Sequence, residues 1–304
     1  MKKKIILIII IISFVLLFAT IILYQENKSF SSVDISSDAL IVNENETDWQ
    51  WVEKQKKLYE LTPIEIDLLL KELRERFPDK DERLKAIAVL RLGTPYQLGC
   101  LGEESGPDKD PIFRIDVADC TVFVLTNTAL VHSQNLEQAR EMMKFLNYRP
   151  EKEITYENRL HFTLERNMVS PYFRDLTEEI AGKEKIITKK VILNRIKTDD
   201  KRWIDIDWEK EIIIKYVPNK YIDKDFLNIN LPKSIGVAFI KEKYFETGLD
   251  VVHEGLLFDG ELLIEASSMQ KKVVAKDFYD YYFGKDGFIP KFDGIILFDL
   301  TLLL

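Results

Sequence analysis

The sequence predicts an α+β protein whose first half is helical and whose second half is rich in antiparallel β-strands. Up to about Gly182, apolar residues recur every three or four positions, which is the spacing of one face of an α-helix. From about Lys185 onward, short runs rich in β-branched residues follow one another. The two kinds of element occupy separate halves of the chain, which favours α+β over an alternating βα architecture.

The predicted helices begin at recognisable start signals. Thr62-Pro63-Ile64-Glu65 supplies an N-cap, a proline in the first turn and a glutamate that can close a capping box. A second helical pattern ends at Gly93, where a segment rich in turn residues begins. The helices are predicted at residues 62–77, 80–92, 120–131, 136–146 and 158–169.

The second half is predicted to be a set of short strands joined by turns. Asp259-Gly260 lies between two of these runs, and this dipeptide is typical of a tight β-hairpin. The strands are predicted at residues 185–196, 212–217, 235–240, 251–258, 261–265 and 294–298.

The N-terminus predicts one transmembrane helix before the folded part. Lys2-Lys3-Lys4 precedes an apolar run from Ile5 to Tyr24 that is long enough to cross a bilayer. The positive-inside rule places the lysines in the cytoplasm and the rest of the chain outside. A cleaved signal peptide is the alternative, and it would give a secreted protein. The predicted organisation is a membrane anchor at residues 1–24, a flexible polar tether at 25–48 and a folded domain at 49–304.

Composition argues against several classes of function. The net charge of -8 disfavours a nucleic-acid-binding protein, whose surface would be basic. Two cysteines cannot form a disulfide framework, and three histidines are too few for a His-rich metal site, so no metal or cofactor is expected. Asp205, Asp207 and Glu209 alternate with apolar residues and suggest a cation site, but a solvated face accounts for them better.

Cys120 stands at the predicted start of a buried helix. Asp119 precedes it at the N-cap position, and residues 121–131 are almost wholly apolar or small. The positive end of a helix dipole lowers the pKa of a thiol and favours the thiolate, so Cys120 is a candidate nucleophile. The alternative is that Cys120 is a small buried hydrophobic residue without a chemical role.

A base for this thiol is predicted on the hairpin. His253 and Glu265 lie six residues on either side of Asp259. A turn centred on Asp259 sets the two side chains opposite each other, whereas a strict two-residue turn sets His253 opposite Ala266. A carboxylate beside an imidazole fixes its tautomer and stabilises the imidazolium. The alternative is that His253 is a half-buried strand residue and Glu265 a surface carboxylate.

Four motifs occur in the order found in one family of cell-wall hydrolases. They are Gly93-Thr94-Pro95-Tyr96, Asp119-Cys120, His253-x-Gly255 and Glu265-Ala266-Ser267. The chain thereby resembles the NlpC-type papain-like cysteine peptidases. Its Arg159-Leu160-His161-Phe162 segment and the long insert before His253 resemble the N-acetylmuramoyl-L-alanine amidase-like branch. The resemblance covers the chain from about Lys80 to the C-terminus.

The resemblance implies a papain-like (NlpC-type) fold and a cysteine amidohydrolase that acts on peptidoglycan or a muropeptide. Cys120 would be the nucleophile, His253 the base and Glu265 the orienting residue. Tyr96 would line the oxyanion region or the substrate cleft, and Asp119 would help to read the substrate peptide. Glu265 stands where the family often has histidine or a neutral amide. The residues after the cysteine also depart from the commonest pattern, which leaves the bond specificity open.

Arg159 and His161 are further candidate substrate-binding residues, suited to a carboxylate or a muramyl group. His161 is also an alternative base to His253, and a packing role is an equal alternative. Cys100 is expected to be a free, buried thiol, because a bond to Cys120 would inactivate the enzyme.

The predicted function is extracytoplasmic hydrolysis of an amide bond in peptidoglycan, either muramyl–L-alanine or within the stem peptide, through a thioester. One alternative is an acyltransferase or lipid-directed hydrolase of related fold. Another is a catalytically silent cell-wall-binding protein. An exposed Cys120 that reacts with alkylating reagents favours an enzyme, and a fully buried, unreactive thiol favours the binding protein.

Overall fold

The computed structural model describes residues 46–229, 231–284 and 289–301. The α-helices of the described residues are α1 (Asp48–Lys54), α2 (Pro63–Arg76), α3 (Lys80–Leu90), α4 (Cys120–His132), α5 (Leu136–Asn147), α6 (Thr163–Val169), α7 (Thr177–Ala181), α8 (Lys224–Ile229) and α9 (Phe278–Phe283). The strands are β1 (Arg174–Asp175), β2 (Ile187–Leu193), β3 (Lys210–Pro218), β4 (Ser234–Ile240), β5 (His253–Phe258), β6 (Leu262–Ser267), β7 (Lys272–Asp277) and β8 (Gly294–Asp299).

Side-chain caps begin several of the helices. The Thr62 hydroxyl accepts the Glu65 N–H, while the Glu65 carboxylate accepts the Thr62 N–H at 2.8 Å, and this capping box starts α2. Asp79 accepts the Glu82 N–H at 3.0 Å and starts α3 in the same way. Each cap satisfies a backbone N–H that has no partner inside the helix, so local sequence is enough to place these helix starts.

The helix predicted at residues 158–169 is shorter than expected. Only α6 is α-helical, and Arg159 instead forms a β-bridge with Tyr148. The Leu160 N–H donates to the Asn147 carbonyl at 2.7 Å. These contacts with the end of α5 hold the segment before α6 in an extended conformation, which overrides its helical pattern.

The strands form one eight-stranded sheet in which all pairs are antiparallel. The order is β2-β3-β8-β4-β5-β6-β7, and β1 pairs with β8. β4 to β7 therefore form a meander, while β8 returns from the end of the described chain and inserts between β3 and β4. The strand β7 is absent from the sequence prediction, and it proves important for the site.

The sheet separates two hydrophobic layers, because alternate residues of a strand point to opposite faces. Leu256, Ile264 and Phe298 pack with helices of the first half on one face. Leu257 and Leu263 pack with α9 on the other face. The buried helix α4 lies against β5 and β6, which brings its first residue to the hairpin.

A buried ion pair connects α6 to β5. The Arg166 guanidinium donates to both carboxylate oxygens of Glu254, at 3.1 and 2.7 Å, and each side chain is 1% exposed. The Thr163 hydroxyl donates to the same carboxylate at 3.2 Å. Arg166 also lies over the ring of Phe173, 4.6 Å from its centroid. This pair fixes α6 against the strand that carries His253.

The predicted fold class was wrong as stated. It included a transmembrane helix, and that segment, residues 1–24, lies outside the described residues. Among the residues that the structure describes, no helix is long and apolar enough to cross a membrane. The longest of these helices, α2, has 14 residues, whereas about 20 are needed. The papain-like (NlpC-type) fold is not shown either. The structure shows an α+β fold built on an antiparallel sheet.

We expect Glu254→Leu to lower the free energy of unfolding by about 3–5 kcal/mol, because it leaves the Arg166 charge buried without a partner. The double variant Arg166→Met/Glu254→Leu should recover much of this loss. Glu179→Leu is the control, since its ion pair with Arg174 is exposed and such pairs contribute about 0–1 kcal/mol. Urea unfolding followed by circular dichroism measures all three. Equal losses for Glu254→Leu and Glu179→Leu would contradict a structural role for the buried pair.

Candidate active site

Asp119 fixes the start of helix α4 and the loop beside it. One carboxylate oxygen accepts the Val122 N–H at 2.8 Å, as an N-cap does, and the other accepts the Gly99 N–H at 2.8 Å. The residue is buried, and burial raises the pKa of its carboxyl while these N–H groups oppose the rise. Both oxygens are thus engaged within the protein. Asp119 positions Cys120, and its predicted contact with substrate remains a prediction.

Cys120 occupies the first position of α4 and is half-buried with a free thiol. The backbone N–H of Glu254 on β5 approaches the sulfur. The expected lowering of its pKa is not found. Burial raises the pKa of the Cys120 thiol, and the charges of Asp119 and Glu254 raise it further. The helix dipole is therefore outweighed by desolvation and two carboxylates, so the resting thiol is protonated and requires a base to become a nucleophile.

His253 begins β5 and lies beside Glu265 of β6. The imidazole Nε2 is 3.1 Å from Glu265 Oε2, although the N–H direction falls short of a well-aligned hydrogen bond. Phe239 stacks on the imidazole with ring centroids 5.5 Å apart, which restrains its orientation. Because Nε2 faces the carboxylate, Nδ1 is the nitrogen that remains for proton transfer.

The hairpin register differs from both predicted alternatives. Leu256 pairs with Ile264 and Phe258 with Leu262, so a three-residue loop, 259–261, connects the strands. Continued along both strands, this register sets Gly255 opposite Glu265. His253 therefore reaches Glu265 diagonally, from the same face of the sheet. The extra loop residue shifts the register without changing which face either side chain occupies.

Gly255 makes the diagonal contact possible. A Cβ atom at this position would lie 3.2 Å from the Glu265 Cβ and 3.0 Å from the Ile264 carbonyl oxygen. Both approaches are tighter than ordinary contacts, so a side chain here would press on the Glu265 backbone and side chain. The His253-x-Gly255 motif thus leaves the space opposite Glu265 clear.

Lys276 is a site residue that was not predicted from the sequence. Its Nζ lies 2.6 Å from Glu265 Oε1, and the Glu265 side chain is 1% exposed. Burial by itself raises the pKa of Glu265, but the contacts with His253 and Lys276 outweigh it, so the pKa is lowered overall. Lys276 lies on β7, opposite Leu263 of β6. Its signal was the β-branched run Val273-Val274 just before it, which would have extended the predicted hairpin by a third strand.

Tyr96 is held at the same site by its backbone. Its N–H donates to the Lys271 carbonyl at 2.9 Å, and it bridges to Ala118, next to the N-cap. Burial raises the pKa of Tyr96 to about 12, and the charges of Cys120 and Asp119 add to the rise. The loop that carries Tyr96 is therefore fixed between the edge of β7 and the start of α4.

Arg159 is engaged in contacts inside the protein. It donates to the Leu101 carbonyl at 2.6 Å and to Asp108 at 2.8 Å, and lies 3.2 Å from Glu103. Its guanidinium lies 5.1 Å from the centroid of the Tyr156 ring. None of its contacts within the described residues involves Cys120 or His253. Arg159 holds the 101–108 loop together, and its binding of substrate remains a prediction.

His161 packs beside Arg159 rather than beside the thiol. Its Nε2 lies 2.7 Å from the Tyr156 carbonyl oxygen, and its ring meets the Tyr156 ring edge to face at 4.7 Å. Burial lowers the pKa of His161 to about 4. These contacts favour the packing role over the alternative that His161 is the base.

Cys100 is a free, fully buried thiol, as expected. Burial raises its pKa to about 12, and the Asp119 charge contributes to the rise.

The acidic residues of the stretch 205–209 had two interpretations from the sequence, a cation site or a solvated face. Asp207 and Glu209 are exposed and both pair with Arg202, at 3.1 and 2.7 Å, which supports the solvated face.

A known protein family matches most of the folded part of the chain. A model of the AmiA-like family, described as N-acetylmuramoyl-L-alanine amidase-like, matches residues 86–288. That range contains Cys120, His253, Glu265 and Lys276. No curated protein matches the chain.

Solved structures share the fold. Protein LPG0564 from Legionella pneumophila str. Philadelphia 1 has a TM-score of 0.61 at 23% identity, with 79% of this chain and 97% of that chain covered. An N-acetylmuramoyl-L-alanine amidase from Bacteroides uniformis ATCC 8492 has a TM-score of 0.56 at 20% identity, with 73% and 99% covered. A protein from Bacteroides fragilis that carries a xylanase name has a TM-score of 0.52 at 22% identity, with 70% and 98% covered. At these identities the similarity shows the fold alone.

The buried state of His161 predicts a loss of stability in mild acid. Its folded pKa of about 4 lies below the ordinary value of 6.5, so between these pH values the unfolded chain binds a proton that the folded chain does not. The contribution of the neutral imidazole to the free energy of unfolding is complete above pH 6.5 and falls as the pH drops toward 4. Urea unfolding at pH 7.5 and pH 4.5 should therefore show a smaller acid-induced loss for His161→Gln than for the wild type. Identical pH dependence in the two proteins would show that the imidazole is not buried neutral.

Proposed function

This chain belongs to the AmiA-like, N-acetylmuramoyl-L-alanine amidase-like family, and from that premise we propose that it is a cysteine amidohydrolase. The proposed substrate is peptidoglycan or a muropeptide, and the proposed scissile bond joins the muramoyl group to L-alanine. One observation carries the catalytic assignment. The helix α4, which begins with Cys120, packs against β5, and the first residue of β5, His253, has its Nε2 3.1 Å from Glu265.

The proposed reaction begins with proton transfer from the Cys120 thiol to Nδ1 of His253. Glu265 orients the imidazole through Nε2 and stabilises the imidazolium that forms. The thiolate then attacks the muramoyl carbonyl carbon and gives a tetrahedral oxyanion. Backbone N–H groups at the start of α4 are suited to stabilise that oxyanion, because the first N–H groups of a helix lack partners within it.

Collapse of the oxyanion breaks the C–N bond and leaves a thioester on Cys120. The imidazolium gives its proton to the departing amine of L-alanine, and His253 is neutral again. A water molecule then loses a proton to the same imidazole and attacks the thioester. The products are the muramoyl carboxylic acid and the regenerated thiol, so protons and electrons balance over the cycle.

The raised pKa of Cys120 is consistent with this scheme. A thiol that is protonated at rest resists adventitious oxidation and alkylation, and in this scheme it becomes a thiolate only when its proton passes to His253. Lys276 supports the base indirectly, since it keeps Glu265 ionised inside the protein.

Three other functions remain as outcomes of the tests. The half-burial of Cys120, which leaves part of the residue open to solvent, supports an enzyme over a catalytically silent wall-binding protein. Cleavage within the stem peptide, or acyl transfer to an acceptor other than water, would use the same thioester. The family match favours the muramoyl–L-alanine bond and hydrolysis.

The proposed substrate places the catalytic unit outside the cytoplasmic membrane, where peptidoglycan is assembled. Protease added to intact cells should therefore degrade the domain that contains Cys120, and an antibody against that domain should lose its signal. A cytoplasmic protein serves as the control for cell integrity. Protection of the domain in intact cells, with degradation after lysis, would contradict this localisation.

The catalytic assignment ranks five substitutions. Cys120→Ala should lower the rate of muropeptide hydrolysis at least about a thousandfold, because it removes the nucleophile and little volume. Cys120→Ser and His253→Ala should lower the rate nearly as much. The serine hydroxyl has a much higher pKa than a thiol and is a poorer nucleophile, and the alanine variant lacks the base. Glu265→Gln should lose less of the hydrolysis rate, because an amide still orients the imidazole. Cys100→Ser should retain activity.

Mass spectrometry of muropeptide fragments measures these rates and identifies the broken bond. Release of free muramoyl groups and intact stem peptides supports the amidase, and shortened stem peptides indicate a peptidase. Circular dichroism of each variant controls for folding. Full activity in Cys120→Ala together with loss in Cys100→Ser would overturn the assignment of the nucleophile.

A further inference from the structure

A lysine-lined cleft opens beside His253 and Glu265. It has a volume of about 210 Å³, and three of the residues that line it are Lys241, Lys276 and Lys291. Among the described residues that line the cleft, Glu265 is the one carboxylate, and it is already shared by His253 and Lys276. The cleft is therefore cationic, although the whole chain carries a net charge of -8.

The sheet topology gathers these lysines from distant parts of the sequence. Lys241 follows the last residue of β4, and Lys291 comes shortly before β8, which pairs with β4 through Ile240 and Gly294. The Asp293 N–H donates to the Ile240 carbonyl at 2.8 Å, and the Lys291 N–H to the Tyr282 carbonyl at 2.7 Å. The backbones that carry the two lysines are thus fixed at the end of the sheet where His253 begins β5.

Two of the ammonium groups have no carboxylate partner among the residues that the structure describes. Within residues 46–229, 231–284 and 289–301, no Asp or Glu oxygen lies within 4.0 Å of Lys241 Nζ or Lys291 Nζ. They contact aromatic rings instead. Lys291 Nζ lies 4.1 Å from the centroid of the Tyr281 ring, and Lys276 Nζ lies 4.6 Å from the same ring. Lys241 Nζ lies 5.9 Å from the centroid of the Phe292 ring.

The lysines repel one another in the free protein. Burial lowers the pKa of Lys291, and the neighbouring charges of Lys276 and Lys241 lower it further, while Glu265 opposes the change. Like charges that converge without a counterion are unfavourable, and an anion bound between them removes that cost. The free energy recovered in this way is available for binding.

We infer that this cleft is a subsite for a carboxylate of the stem peptide, held by Lys241 and Lys291 while Lys276 stays with Glu265. The inference rests on the proposed function, because it places the subsite next to the reacting bond. A stem peptide carries carboxylates a few bonds from the muramoyl–L-alanine amide, whereas the glycan side of that bond is neutral. A carboxylate in the cleft would therefore set the direction in which substrate lies across Cys120 and His253.

The test compares N-acetylmuramoyl-L-alanyl-D-glutamate with its α-monoamide, its γ-monoamide and its diamide. The wild-type protein should have the lowest KM for the diacid. The two monoamides show which of the two glutamate carboxylates binds in the cleft, because only loss of that carboxylate raises KM. We expect this increase to be about five- to fiftyfold, as for loss of one charge-assisted hydrogen bond. Equal KM values for diacid and diamide would overturn the inference.

The variants Lys241→Gln and Lys291→Gln should raise KM for the diacid by a similar factor and leave kcat and the diamide KM unchanged. Lys291→Arg should retain most of the preference, since it keeps the charge. Lys71→Gln is the matched control, because Lys71 is exposed on α2 and is not among the residues that line the cleft. Higher salt should weaken the preference of the wild type for the diacid. Variants that change diacid and diamide equally would contradict a charge-reading subsite.

Failure of the proposed function has a different signature. If wild-type protein cleaves none of the four compounds, the amidase proposal fails, and isothermal titration of the same compounds into the wild type and the Lys241→Gln/Lys291→Gln variant decides the subsite. Tighter binding of the diacid that is lost in the double variant supports the subsite without catalysis. Equal binding of diacid and diamide, or an unchanged preference in the double variant, overturns it.

Discussion

The candidate site depends on how the protein keeps one buried carboxylate, that of Glu265, ionised. The Glu265 side chain is 1% exposed, and an isolated carboxylate in that position would take up a proton instead of remaining charged. Lys276 at 2.6 Å and His253 at 3.1 Å keep it ionised. These partners come from β7 and β5, the two neighbours of the strand that carries Glu265. The pairing of β5, β6 and β7 is therefore needed to keep Glu265 charged. The charged carboxylate in turn orients the imidazole of His253.

Three consecutive residues of β5 connect fold stability to the proposed chemistry. His253 faces Glu265 on one side of the sheet, while Glu254 faces the helices and binds Arg166. Gly255 returns to the first face and leaves the space opposite Glu265 clear. Because side chains alternate along a strand, a slip of one residue would exchange the positions of the imidazole and the buried carboxylate. The same pairing thus fixes the core and the candidate site.

The site was only partly predictable, and the reasons are specific. Cys120 and Asp119 were identified because an N-cap and a helix start are local features. The proximity of His253 and Glu265 was anticipated from a turn signal, yet the register was wrong because Glu261 adds a third residue to the loop. The pKa of Cys120 was predicted in the wrong direction. The dipole was visible in the sequence, but the burial of the thiol and the approach of Glu254 were not.

The sequence by itself determined what neighbouring residues decide: the capped helices, the segregation of helices and strands, the hairpin and the candidate nucleophile at a helix start. Only the tertiary structure decided which distant side chains meet. Lys276 came from a strand that was not predicted, and Arg159 and His161 are engaged by the 101–108 loop and Tyr156. The converging lysines at residues 241 and 291 depend on the insertion of β8 beside β4. Strand order and the burial of charge are set by long-range packing, which a local pattern does not encode.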